Sequence, residues 1–160
     1  MKPETEIRYL ERCIELANQC SAGIGTPLVG AILVSQDGTI IGEGYRQFID
    51  GTQLTLHAER IAITQAKEQN RGIRGTTLIT TLEPCTRKRG RRDILSCCCE
   101  LISAEGIKRV IIGSRDINLE KSGVGYLITQ RIRTDVLYEN NLPPELRRKL
   151  DGLAGYHQQQ

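Results

Sequence analysis

His57 and Glu59 stand two residues apart, and Cys85 and a run of three further cysteines follow them along the chain. Zinc prefers four nitrogen and sulfur ligands in a tetrahedral arrangement, and a catalytic zinc site keeps one position open for water. One imidazole and two thiolates would fill three positions and leave that opening. A glutamate beside the opening could carry protons as a general acid and base. These residues therefore predict a hydrolytic Zn2+ site, with His57, Cys85 and a second cysteine as ligands and Glu59 as the catalytic residue.

The second cysteine ligand has three candidates, Cys97, Cys98 and Cys99, which lie 12, 13 and 14 residues after Cys85. They fall in a helix predicted over residues 94–105, which has two neighbouring apolar stripes at helical spacing. Cys98 belongs to both stripes, which are Leu95, Cys98, Cys99, Ile102 and Ile94, Cys97, Cys98, Leu101. Cys98 is therefore the predicted ligand, with Cys97 as the next candidate, and the remaining two cysteines are predicted to be buried thiols.

Each of these residues has an ordinary role when it stands alone. A lone histidine is more often structural or exposed, a lone glutamate is solvated, and a lone cysteine is a small core residue. Their combination in this order, separated by strand-forming sequence, favours a metal site. A purely structural zinc site is normally closed by four protein ligands, so the presence of Glu59 favours catalysis over a non-catalytic zinc module.

Five segments of the chain resemble the cytidine deaminase-like superfamily, and most closely the deaminase half of the riboflavin-biosynthesis deaminase/reductase. They are residues 27–34 (PLVGAILV), 42–45 (GEGY), 57–59 (HAE), 81–85 (TLEPC) and 106–113 (GIKRVIIG). The resemblance implies that a zinc-bound hydroxide attacks an aromatic carbon that carries an amino group. Glu59 would move the proton from water to the ring nitrogen, and ammonia would leave. Counting back from residues 106–110 without a gap, the resemblance also places the second cysteine ligand at Cys98.

The resemblance further places Thr26, Leu82 and Glu83 at the substrate pocket. Thr26 stands where the riboflavin enzymes carry an asparagine that helps to hold the heterocycle. The predicted substrate is a small aminopyrimidine or nucleotide, either one like that of the riboflavin pathway or a cytosine nucleotide. The alternatives are deamination of cytosine or adenine in nucleic acid, and a non-catalytic zinc-binding module of the same fold.

A basic segment, residues 87–92, carries five positive charges directly after the proposed ligand Cys85. Arginine binds phosphate through two parallel hydrogen bonds, so Arg87, Arg89 and Arg91 are predicted to hold a phosphate of the substrate. The alternatives are a contact with the backbone of a nucleic acid and an ordinary solvated surface. The chain has one Phe, no Trp and five Tyr, which disfavours the base stacking that a nucleic-acid binder uses.

The elements that must position these residues follow from hydrophobic periodicity and turn signals. Helices are predicted over residues 4–20, 57–70, 94–105 and 125–131 and from residue 143, and strands over residues 28–35, 39–45, 76–81, 108–114 and 132–138. Strands that alternate with helices predict an α/β sandwich in which an antiparallel hairpin precedes parallel strands. The resemblance implies a three-layer α/β/α sandwich around a mixed five-stranded sheet.

Length and composition set the remaining expectations. The 160 residues suit one domain, predicted over residues 1–155, with residues 156–160 as a disordered tail. The net charge of +3 does not by itself indicate a partner. No stretch approaches the ~20 apolar residues of a membrane span, and residues 1–6 are too polar for a secretory signal. A cytoplasmic location is therefore predicted, and the resemblance adds a homo-oligomer.

Overall fold

The computed structural model describes residues 1–20, 27–48, 55–86 and 96–155. Its helices are α1 (Pro3–Ala17), α2 (Ala58–Glu68), α3 (Cys98–Ala104), α4 (Gly123–Thr129) and α5 (Pro144–Ala154). Its strands are β1 (Gly30–Val34), β2 (Ile40–Tyr45), β3 (Gln47–Phe48), β4 (Thr55–Leu56), β5 (Thr77–Leu82), β6 (Arg109–Ser114) and β7 (Arg133–Val136). A short 3-10 helix, Leu137–Glu139, follows β7.

The main sheet has five strands in the order β2-β1-β5-β6-β7. Strand β1 is antiparallel to both β2 and β5, whereas β5, β6 and β7 are parallel. Every residue of β5 and β6 is buried, as expected for central parallel strands that are covered on both faces. The sheet is therefore mixed, and the predicted fold class is confirmed.

Two apolar clusters lie on opposite faces of this sheet and define three layers. One cluster joins the sheet to α2, α3 and α4, and includes Ile63, Ile102 and Leu127. The other joins it to α1 and α5, and includes Leu10 and Leu150. Because successive side chains of a strand point to opposite faces, β5 sends Leu78 to the first cluster and Ile79 to the second.

Two glycines of β2 let α2 lie close against the sheet. A Cβ atom at Gly42 would stand 2.1 Å from the carbonyl oxygen of Ala62, and one at Gly44 would stand 2.4 Å from that of Ala58. Real Cβ atoms do not approach a backbone this closely, so a larger residue would push the helix away. These two glycines therefore set how closely the first turn of α2 lies against the sheet.

The predicted elements are present, with three differences. Helix α3 begins at Cys98 and is preceded by the non-helical residues Ser96 and Cys97, whereas the sequence predicted a start at residue 94. The predicted strand over residues 132–138 ends at Val136, where the chain turns into the 3-10 helix. Strands β3 and β4 pair with each other in a region where no strand was predicted from the sequence. Residues 156–160, the predicted tail, lie outside the described residues.

Candidate metal centre

Three side chains converge on one point beside the first turn of α2. The Nδ1 atom of His57 lies 3.3 Å from Sγ of Cys98 and 3.5 Å from Sγ of Cys85. All three ligand atoms lie within 4.8 Å of one another. A tetrahedral zinc ion with ordinary Zn–N and Zn–S bonds holds a nitrogen and a sulfur about 3.6 Å apart. The donor types and the two measured distances therefore fit zinc.

His57 reaches this point because it is the N-cap of α2. Its backbone is extended, with φ −75° and ψ 148°, and its carbonyl accepts the first helical hydrogen bond from Ile61. Glu59 follows in the first turn, where side chains can bend over the end of the helix. The structure brings His57 and Glu59, which were predicted to belong to one zinc site, to the same cluster.

The two cysteines are brought together by backbone amides at the beginning of α3. Cys85 follows the end of β5, and its Sγ accepts a hydrogen bond of 3.3 Å from the amide of Cys98. The amide of Cys99 binds the carbonyl oxygen of Cys85 at 3.1 Å. An amide hydrogen bond stabilises the thiolate form that a metal ligand needs.

The other two candidate cysteines point elsewhere. Cys97 is the N-cap of α3, and its Sγ accepts the amide of Glu100 at 3.5 Å. The thiol of Cys99 donates to the carbonyl of Pro84 at 3.4 Å and is fully buried. Cys98 is thus the cysteine of the three that reaches His57 and Cys85. The helical stripes that favoured Cys98 assumed a helix from residue 94, and that premise is wrong.

Glu59 is buried beside the ligands, with 3% of its surface exposed. Its Oε2 atom lies 3.8 Å from Sγ of Cys98, and its Oε1 atom lies 3.5 Å from the hydroxyl of Thr80. Burial is the largest cause that raises the pKa of Glu59 above its usual value. A carboxyl group with a raised pKa, held next to the three candidate metal ligands, is suited to accept and return a proton.

The pKa values of the two thiols are shifted in opposite directions. The pKa of Cys85 is lowered to about 4, chiefly because Cys98 donates a hydrogen bond to it. The same hydrogen bond, together with burial, raises the pKa of Cys98 well above its usual value. The pair thus gives up its first proton easily and its second with difficulty. A divalent cation would displace that second proton, because metal binding requires both thiolates.

Two of the predicted substrate residues are described by the structure. Leu82 ends β5 with 8% of its surface exposed, within the core cluster on the α2 face. The carboxylate of Glu83 is buried and accepts hydrogen bonds from the amides of Asp116 and Val124, at 3.1 and 2.8 Å, and from the hydroxyl of Ser122 at 3.3 Å. Glu83 therefore anchors the start of α4, and its contact with substrate stays a prediction.

The other predicted substrate residues, Thr26, Arg87, Arg89 and Arg91, lie outside the described residues. Their roles stay predictions.

Two residues near the centre were not predicted from the sequence. Thr80 lies on the same face of β5 as Leu78 and Leu82, so strand alternation would place it toward α2. Arg60 donates from Nη2 to the carbonyl and the hydroxyl of Ser96, which joins α2 to the segment before α3. The local periodicity of the sequence does not predict the contact of Arg60 with Ser96.

The chain matches known deaminases along most of its length. Residues 3–114 match the cytidine and deoxycytidylate deaminase zinc-binding region. The chain is 40% identical, over 128 residues, to the riboflavin biosynthesis protein RibD of Actinobacillus pleuropneumoniae, and the match covers 78% of this chain and 30% of that protein. It is 34% identical, over 118 residues, to the tRNA-specific adenosine deaminase of Haemophilus influenzae, with 72% of this chain and 62% of that enzyme covered.

A solved structure gives the same result. The chain resembles a diaminohydroxyphosphoribosylaminopyrimidine deaminase/5-amino-6-(5-phosphoribosylamino)uracil reductase from Thermotoga maritima, with a TM-score of 0.74 and 34% identity over 96% of this chain and 41% of that one. The predicted Zn2+ is confirmed as the cofactor, because the matching family region binds zinc and the structure holds a cluster able to bind a metal. The chain belongs to the cytidine and deoxycytidylate deaminase family.

Proposed function

We propose that this chain is a zinc-dependent hydrolytic deaminase of a small aminopyrimidine nucleotide. His57, Cys85 and Cys98 hold the zinc, and Glu59 carries the proton. The observation that carries the proposal is the cluster itself, in which three ligand atoms lie within 4.8 Å of one another and a buried carboxylate lies 3.8 Å from one of them. These side chains come from three separate parts of the chain, so their meeting is a property of the fold.

The buried carboxylate distinguishes an enzyme from a zinc module that only binds. Zinc held by three protein ligands lowers the pKa of a bound water to near neutrality and supplies the nucleophile. A closed structural site needs neither an open position nor a proton carrier. Glu59 lies 3.8 Å from a ligand sulfur and is shielded from solvent, which supports a role as the general acid and base.

The reaction balances around one water molecule. Water adds its oxygen to the ring carbon that bears the amino group, and Glu59 takes the proton that the water loses. Glu59 then gives this proton to the neighbouring ring nitrogen. The water's second proton goes to the amino group, the carbon–nitrogen bond breaks, and ammonia leaves. The product carries a carbonyl in place of the amine, and Glu59 returns to its starting form.

The comparisons favour a riboflavin-pathway substrate, a phosphoribosylated diaminopyrimidine. Similarity to RibD of A. pleuropneumoniae and to the T. maritima deaminase/reductase supports this choice. The sequence supports a phosphorylated substrate through Arg87, Arg89 and Arg91, and a contact with the heterocycle through Thr26. The similarity to a tRNA-specific adenosine deaminase supports a second candidate, adenosine in RNA.

The test is ammonia release by zinc-loaded protein from three substrates: the phosphoribosylated diaminopyrimidine, dCMP and tRNA. The same panel with Glu59→Gln corrects for contaminating activity. Turnover of the diaminopyrimidine alone is the expected result. Turnover of tRNA alone would select the second candidate. A wild-type protein that binds one zinc and releases no ammonia from any of the three would contradict the proposed function.

Two broader expectations accompany the proposal. Among the described residues, no helix is both long enough and apolar enough to cross a membrane. A cytoplasmic location and a homo-oligomeric state stay predictions. Cell fractionation would test the first, and light scattering on the purified protein would test the second.

A further inference from the structure

Arg60 links the two helices that carry metal ligands. It lies in the first turn of α2, three residues after His57, and it is partly buried. Its Nη2 atom donates to the carbonyl oxygen of Ser96 and, at 3.3 Å, to the Ser96 hydroxyl. Ser96 stands two residues before Cys98, so this contact is made at the point where the chain enters α3.

The chain itself does little to fix Cys98 relative to the other ligands. Thirteen positions separate Cys98 from Cys85, and a connection of that length constrains its ends only weakly. The amides of Cys98 and Cys99 tie the start of α3 to Cys85. Those bonds fix the distance from β5 and leave the approach to α2, where His57 lies, to other contacts.

Among the described residues, two polar contacts join α2 to the α3 region, apart from those of the cluster itself. One is Arg60 with Ser96, beside the ligands. The other is the ion pair of Lys67 with Glu105, at the far ends of the two helices. Lys67 is about half exposed and lies two helical turns beyond Arg60, so it joins the same helices without reaching the cluster.

We propose that Arg60 is a positioning residue of the zinc centre, holding the start of α3 against α2 so that Cys98 stays within ligand distance of His57. The inference rests on the proposed zinc site. Arg60 contacts neither the substrate nor the metal in this role. A guanidinium group suits this positioning role because the group stays charged. Its planar fork also loses little conformational freedom when it forms a hydrogen bond.

The test compares zinc affinity in variants of the full chain, measured by competition with a chromophoric chelator. Arg60→Met keeps an unbranched apolar stem and removes the donors of the side chain. Loss of an outer-shell contact typically weakens metal binding by about 10- to 100-fold, and that is the expected loss. Arg60→Lys should recover most of the affinity, because a single nitrogen makes both contacts with Ser96. Lys67→Met is the matched control and should bind zinc like the wild type.

Zinc affinity of Arg60→Met equal to that of the wild type would overturn the proposal, as would an equal loss in the Lys and Met variants. Circular dichroism of the metal-free variants checks the fold, and Arg60→Gln, whose side chain is too short to reach, replaces Arg60→Met if that variant does not fold. Failure of the zinc site itself would look different. In that case the wild type would bind no zinc, or Cys98→Ser would bind it as tightly as the wild type.

Discussion

Oε2 of Glu59 lies 3.8 Å from Sγ of Cys98, although 39 positions separate the two residues in the sequence. Neither residue lies in an irregular loop, since Glu59 is in the first turn of α2 and Cys98 is the first residue of α3. Two helix beginnings therefore face each other across the cluster. This arrangement places the carboxylate next to the ligands on regular helical backbone.

Replacing Glu59 with glutamine separates proton transfer from metal binding. The amide keeps the size of the side chain and cannot accept and return a proton, so kcat should fall by about 100- to 10,000-fold. The ligands are untouched, so zinc content should stay at one ion per chain. Ammonia release and elemental analysis on the same preparation measure both quantities. Turnover within a few-fold of the wild type would remove Glu59 from the reaction.

Single serine substitutions at the three adjacent cysteines identify the ligand. Cys98→Ser should weaken zinc binding, because Sγ of Cys98 lies 3.3 Å from Nδ1 of His57 and is a proposed ligand. The expected loss is more than about 100-fold, which is the upper end of the loss for an outer-shell contact. Cys97→Ser should keep its zinc and its stability, since serine is a preferred N-cap residue.

Cys99→Ser serves as the buried control, because the Cys99 thiol points toward Pro84. It should keep its zinc and lose some stability. The measurement is zinc content after dialysis against a chelator, with urea unfolding as the check on the fold. Full zinc occupancy in Cys98→Ser would exclude Cys98 as a ligand.

The sequence predicted most of what is local in this centre and little of what depends on long-range packing. His57 and Glu59 meet because both lie at a helix start, which residue order alone predicts. Cys98 was predicted as the ligand partly from a helix assumed to start four residues too early, and the structure places its Sγ atom 3.3 Å from Nδ1 of His57. The contact of Thr80 with Glu59 depends on β5 lying beside β1, and strand order does not follow from periodicity.

Thr80→Val tests whether the hydroxyl near Glu59 supports the reaction. The Thr80 hydroxyl lies 3.5 Å from the carboxylate and 3.2 Å from the carbonyl of Leu82, and it is fully buried. A buried hydrogen bond contributes about 1 kcal/mol, so its loss should lower kcat roughly fivefold with zinc content unchanged.

Thr81→Val is the matched control for this strand. Adjacent residues of a strand point to opposite faces, and the Thr81 hydroxyl accepts the amide of Gly30 at 3.2 Å. This variant should lose stability and keep its kcat. Steady-state kinetics with zinc-loaded protein measure the difference. Equal kcat values for the Thr80 variant and the wild type would show that the Thr80 hydroxyl does not contribute to catalysis through Glu59.

Gly44→Ala tests whether the close packing of α2 against β2 sets the geometry of the zinc site. The added Cβ would lie 2.4 Å from the carbonyl oxygen of Ala58, the residue between His57 and Glu59, and 2.9 Å from the amide nitrogen of Ala62. Backbone atoms cannot rotate away, so the first turn of α2 must move. Overpacking of this kind costs about 1 to 3 kcal/mol of unfolding free energy, and the shift of His57 should weaken zinc binding as well.

Gly72→Ala is the control for the same substitution, because no heavy atom of the described residues, apart from the two chain neighbours, lies within 4 Å of a Cβ at that position. Its unfolding free energy should stay within about 0.5 kcal/mol of the wild type, and its zinc affinity should be unchanged. Urea unfolding of the metal-free proteins gives the stability, and chelator competition gives the affinity. If Gly44→Ala lost stability and kept its zinc affinity, the ligands would be positioned independently of the contact between α2 and β2.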